Sequence, residues 1–424
     1  MMTDEQNRKP ARHGKPLAAF GLGLALSFLL AIPASVNAIL LTEINGYELH
    51  MEVHTVGRLQ ALDHDADDKA AAGFAREELS DAGLQHAIGN LGWRLFYEDY
   101  YEVFFDVTLA SRVNADKVWG HQGYILLKRL PEDSLFPAAN AVFDHIDIKA
   151  GHFMVDFGNE IHRRSNNADV QRNPLIGNPV VSPHATEAGI EIIHRNERGF
   201  GAMIGTGSGV ATENFSEGAR FSYRGKVWAE IPEIPVDVAA SYYRANHGSG
   251  FQGFGGSNLF RTERLGGAYA GVWDDGNAPG HVMIGDGANL EAWQLDAGWN
   301  PNDRFELVGH FGRADDKNAL GAGDSETWLY YGATGKVYLL PDAVYAAARY
   351  SAADAQRFAG DSSNDGRIDR FQIGGGAWVL DGLLLKLEYV YQSASGFDHG
   401  TMSGVELNQD PEFQGLIAEF SFSF

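Results

Sequence analysis

Three groups of side chains in this sequence have types and spacings that could do chemistry. His162, Arg163, Arg164 and Arg172 form the densest cationic cluster beyond the N-terminal segment, in a chain with 33 Lys and Arg against 56 Asp and Glu. Facing carboxylates across a narrow water-filled passage, such a cluster would set up a transverse field that filters solutes by charge and orientation. On an open loop the same residues would pair with Glu160 and Asp169. A second group, Glu48, His50, Glu52 and His54, alternates along the chain. On a strand these side chains share one face at about 7 Å spacing. Zinc, held at about 2.0–2.2 Å by each ligand, could bridge two of them at best, and the competing reading is a wet wall. Asp361, Ser363, Asp365 and Asp369, with Gly366, follow the order of oxygen ligands used by calcium loops. Gln372 stands where the full motif has a bidentate Glu, so calcium competes there with an ordinary Asp and Gly turn. No other cofactor is expected. The Gly248 to Gly253 run matches GxGxxG, but more glycines follow at Gly255 and Gly256 and no helical period appears, which makes it a surface loop. Without any Cys there is no thiolate nucleophile or ligand, and no Gly-x-Ser-x-Gly elbow occurs.

The elements that must position these groups are strands. From Tyr47 to Leu59 the odd positions are mostly apolar and the even ones Glu48, His50, Glu52, His54 and Arg58, a period of two with one greasy and one wet face. The pattern returns over 101–109 and 383–392, and over 221–231, where Arg220, Arg224 and Lys226 take the wet side; Lys386 and Glu388 do so over 383–392. Several such runs reach roughly 10 residues, the length a tilted strand needs to cross a bilayer. Tight connectors at 196–198, 232–235, 301–303, 341–342 and 381–382 alternate with long polar segments such as 158–186, 247–289, 353–366 and 394–411. Short turns on one rim and long loops on the other are how outer-membrane barrels are built. Splitting 84–111 at Asp99-Tyr100 gives sixteen strands between 47 and 424, an even number. The expected fold is an all-β transmembrane antiparallel barrel with 158–186 as a candidate constriction loop and 247–289 as a long external loop.

Residues 1–38 read as a signal peptide. Arg8, Lys9, Arg12 and Lys15 precede an uncharged run from Leu17 to Ile32, then Pro33 and the small-x-small Val36-Asn37-Ala38. The barrel is then 39–424, beyond the inner membrane. A net charge of −23 speaks against nucleic acid as a partner. An aromatic content of 12% speaks against disorder. A mean hydropathy of −0.23 is what a wall alternating between lipid and water averages to. At the end, Leu416, Ala418, Phe420, Phe422 and Phe424 alternate with polar or smaller residues. A terminal amphipathic strand closing on Phe resembles the signature of Gram-negative outer-membrane proteins, in which it is taken as a signal to the barrel-assembly machinery.

The stretch IDIKAGHFMVDFGNE, Ile146 to Glu160, and the polar loop after it resemble the phosphate-selective O/P type of outer-membrane porins, as does the early hairpin 84–111. In that family a G-x-F-x-x-x-F-G strand precedes a long loop that folds into the channel. The detailed resemblance covers about a quarter of the chain. It implies a sixteen-stranded, trimeric channel with Arg163, Arg164 and Arg172 near the constriction. Asp156 before Phe157 and the scarcity of Lys depart from the family's pattern, so phosphate selectivity does not follow. The expected function is a passive, water-filled outer-membrane channel for small hydrophilic solutes, anions among them, rather than an enzyme. A barrel hydrolase and a scaffold for a partner protein are the alternatives, and bilayer conductance separates them from a channel.

Overall fold

The computed structural model describes residues 38–65, 82–109, 118–163, 170–196, 199–209, 221–231, 234–246, 259–260, 289–319, 324–357, 365–396, 401–402, 405–406 and 412–424. Its strands are β1 (Ile39–Ile44), β2 (Tyr47–Asp65), β3 (Ala82–Tyr97), β4 (Tyr101–Leu109), β5 (Val118–Leu127), β6 (Ile146–Met154), β7 (Thr186–Arg195), β8 (Phe200–Gly207), β9 (Phe221–Ile231) and β10 (Val236–Asn246). They continue as β11 (Asn289–Asn302), β12 (Phe305–Ala319), β13 (Asp324–Leu340), β14 (Val344–Gln356), β15 (Gly366–Leu380), β16 (Leu383–Ser395), the two-residue pair β17 (Thr401–Met402) and β18 (Val405–Glu406), and β19 (Glu412–Ser423). From β2 to β16 each strand pairs antiparallel with the next, and β19 pairs with both β16 and β2. That closes a ring of sixteen and leaves no edge in the wall.

Closure has a second component at the termini. Backbone hydrogen bonds join Phe424 and Val53 in both directions, at 2.8 and 3.0 Å, and β1 begins opposite Met51. The first and last strands therefore lie end to end along one edge of β2.

The period of two sorts the side chains as expected. Leu59, Phe105, Ile204, Tyr223, Val227, Leu387 and Phe420 face outward, while Arg58, Glu102, Arg224, Lys386, Glu388 and Glu419 are buried on the inner face. The strand expected at 84–97 is β3. Turns at 45–46, 98–100, 303–304 and 381–382 are tight and share one rim, with one exception. Segment 128–145, between β5 and β6 on that same rim, is long and carries short helical turns at Pro137–Ala139 and Asn140–Phe143. Its Asn140 side chain clamps the Leu130 backbone through bonds of 2.8 and 2.9 Å, so its order comes from a local side-chain cap that no hydrophobic period reveals. The strand expected to run to 157 stops at Met154, because the described residues of 155–163 and 170–185 turn inward: Val155, Phe157, Val180 and Val181 are buried.

Candidate functional site

The inward stretches 155–163 and 170–185 lie across the bore, and their partners trace the path. Leaving β6, the Gly158 amide donates to Ser241 Oγ of β10 at 3.0 Å, and Arg163 forms an ion pair with Glu306 of β12. On the far side Val170 packs on Val56 of β2, and the Gln171 amide donates to the carbonyls of Gly382 and Ser421 at 2.7 and 3.1 Å. The return runs along β16, β15 and β14. Lys386 donates to the Val170 carbonyl at 2.6 Å. Glu388 Oε2 accepts from the Ile176 and Gly177 amides at 2.5 and 3.1 Å. Arg349 donates to the Gly177 carbonyl at 2.6 Å and Asn173 Oδ1 at 2.9 Å, and Arg370 to the Asn178 carbonyl at 2.7 Å. The wall's charges thus meet the loop's backbone, which has no ladder of its own and must be satisfied in a buried place.

Room for this segment comes from small inward residues. Ala347, Ala353 and Ala355 of β14, Ala292 of β11 and Ala314 of β12 are buried against it. The 247–289 loop contributes as well: Leu259 and Phe260 have no solvent exposure. Phe260 packs edge-on against Phe157 at 6.2 Å and Tyr330 at 5.7 Å, and the Leu259 carbonyl accepts from the His184 amide at 2.6 Å. The expectation of a wholly external 247–289 loop is corrected at those two residues, which join the apolar filling of the barrel.

Below the loop, toward the short-turn rim, lies a cavity of about 830 Å³ lined by Asp156, Glu160, Arg163, Lys226, Trp228 and Asp296 among others. Lys226 Nζ binds Asp156 at 2.7 Å and the Gly158 carbonyl at 3.0 Å, and His162 stands 3.5 Å from Asp156. Burial pushes the Asp156 carboxyl up, but His162 and Lys226 outweigh it and hold the group below the ordinary carboxylate range. Of the expected constriction residues, His162 and Arg163 are thus at the loop's base and Arg172 is exposed on the segment. Arg164 and Arg220 lie outside the described residues.

The described members of the expected lumen set each meet a partner. His50 pairs with Glu48 at 3.2 Å, Glu52 accepts from Arg94 at 3.1 Å, and His54 bonds Ser423 at 2.8 Å. Each side chain has its own partner, and among the described residues no three ligands converge on a metal position. Arg224 joins Glu191 at 2.8 Å and Glu187 at 3.2 Å. Lys149 sits 4.4 Å above both the Tyr124 and Phe153 rings, a cation–π cradle on the pore wall. At the calcium-like sequence, Asp361 and Ser363 lie outside the described residues, Asp365 accepts from the Arg357 amide at 3.2 Å, and Asp369 is in β15. The Asp369 carboxylate is gripped by Arg367 at 2.8 and 3.0 Å, on the strand face opposite buried Arg370. The expected loop position 9 is therefore a strand residue, because the ladder with β14 begins at Gly366.

A closed, even-numbered antiparallel barrel with an apolar outer wall is the outer-membrane type, with porin-like architecture where a loop folds into the bore. Solved structures share the fold at low identity. The outer-membrane channel DcaP of Acinetobacter baumannii is 11% identical, with a TM-score of 0.55 over 89% of this chain and 98% of that one. An anion-selective porin from Comamonas acidovorans is 11% identical, with a TM-score of 0.54 over 89% and 100%. In-vitro folded OmpT, an outer-membrane protein of Vibrio cholerae in a trimer form, is 10% identical, with a TM-score of 0.52 over 89% and 100%. No family model matches the chain. No curated protein matches it either.

Proposed function

We propose that this protein is a passive diffusion channel of the Gram-negative outer membrane, passing water and small hydrophilic solutes, and that it works as a homotrimer. The observation that carries the reading is the stretch 170–185, tied to the inner wall by Arg349, Arg370, Lys386 and Glu388 above a charged cavity of about 830 Å³. Such an arrangement narrows a wide barrel to a size at which side-chain charge and solute size both matter. The likeness in fold to a channel, a porin and a trimeric outer-membrane protein supports it. Processing after residue 38 and recognition of the Phe424 strand by the assembly machinery complete the reading. Liposome swelling with a panel of sugars, amino acids and organic acids tests it: reconstituted protein should admit solutes at rates falling with their size. Liposomes that stay impermeable to all of them would favour a hydrolase or a scaffold.

A further inference from the structure

Two carboxylates beside the cavity stand apart from the paired charges around them. Glu160 and Asp296 are only 7% and 6% exposed. Glu160 Oε2 and Asp296 Oδ2 are buried with no hydrogen-bond partner. Glu160 opens the helical turn Glu160–His162 at the base of the inward segment, and Asp296 of β11 lines the same cavity, close enough to feel the charge of Glu160. The neighbouring cations have other partners. Lys226 is held by Asp156 and the Gly158 carbonyl, Arg163 by Glu306, and His162 leans on Asp156. Half-buried His310 also lies within reach of Glu160's charge. The other oxygen of Asp296 accepts from Gln294 at 2.8 Å, and Gln294 is fixed in turn by the Tyr330 hydroxyl at 3.1 Å.

Two neighbouring carboxylates with empty acceptor sites, taken out of water, stay ionised together only where a cation joins them; otherwise one of them takes up a proton. We propose that Glu160 and Asp296 form a cation-binding subsite on the permeation path, taking a small oxygen-seeking divalent ion such as Ca²⁺. The subsite rests on the channel reading above and gives it a charge preference. Calcium accepts irregular carboxylate and water coordination at 2.3–2.6 Å, and the cavity supplies the water. With no third acidic or imidazole ligand among the described residues, the ion keeps part of its hydration and is held loosely. That suits a pore, where binding must be strong enough for entry and weak enough for release. The site also reverses the sign expected from the arginines of the same loop: Arg163 is neutralised by Glu306, while Lys226, the cation whose charge reaches Asp296, is held by Asp156 and the Gly158 carbonyl.

The test uses the full-length protein in planar bilayers under KCl, with CaCl₂ added in steps, and compares wild type with Glu160→Gln, Asp296→Asn and the double variant, each first shown to be heat-modifiable. The wild type should lose K⁺ conductance as Ca²⁺ rises. The double variant should need roughly tenfold more Ca²⁺ for the same loss, and its reversal potential under a salt gradient should shift toward anions. Identical Ca²⁺ responses in wild type and double variant overturn the proposal, as they would if the pair merely shared a proton. Calorimetric Ca²⁺ titration of the same proteins in detergent gives a readout that needs no current. Binding heat lost in the double variant supports the subsite even if the channel reading fails, and no heat in the wild type overturns it.

Discussion

Arg349 grips the inward segment with two nitrogens, on the Gly177 carbonyl and Asn173 Oδ1, and its Nε donates to Thr334 at 2.8 Å. A charge-assisted hydrogen bond of this kind contributes about 1.5–3 kcal/mol, so Arg349→Gln should loosen the segment without opening the wall. The expected outcome is a larger, noisier single-channel conductance with unchanged heat-modifiability. A conductance equal to wild type would mean that the segment does not narrow the pore. Little of this anchoring was legible beforehand. Lys386 and Glu388 were expected to line a lumen, but their partners on the inward segment lie 211 and more residues away in sequence, and no local spacing connects them. One signal was present: alternate inward positions of β14 hold Ala347, Ser351, Ala353 and Ala355 around Arg349, small residues that leave space for something to fill.

At the scale of elements, the seam between β2 and β19 is where closure is decided. Arg58 binds Glu419 at 2.7 Å and Lys386 reaches the same carboxylate at 2.9 Å, all within the buried inner face. On the outer face the Phe420 ring lies over Gly57, where an added Cβ would come within 2.1 Å of it. Removing one member of a buried ion pair costs about 3–5 kcal/mol. Arg58→Ala should therefore lower the temperature at which the folded band disappears on gels, and an unchanged transition would show that the ladder alone closes the barrel. Deleting Phe424 removes both backbone bonds to Val53 and should reduce the folded protein reaching the outer membrane while leaving export intact, as read from fractionated membranes. These strands were legible because alternation is a property of sequence neighbours. The calcium-like run spans an element boundary that spacing does not show: Asp365 and Asp369 are divided by the start of a strand.

For the molecule as a whole, the pairing order fixes an even ring in which β2 starts and β19 ends on the rim of tight turns. Cysteines replacing Asn302 and Gln356, both exposed and at opposite ends of the wall, should label on intact cells only at position 356. Labelling at 302 alone would invert the orientation. The ring and its parity could be read from turn chemistry, whereas the extent of interior filling could not, since Leu259 and Phe260 come from a glycine-rich loop with no period to mark them. The central claim is that this filled barrel still conducts. Single-channel recording of the purified, heat-modifiable protein in a planar bilayer tests it most directly. The account predicts discrete, stable conductance steps below those of an unobstructed sixteen-stranded pore; folded protein that inserts and leaves the bilayer sealed would contradict it.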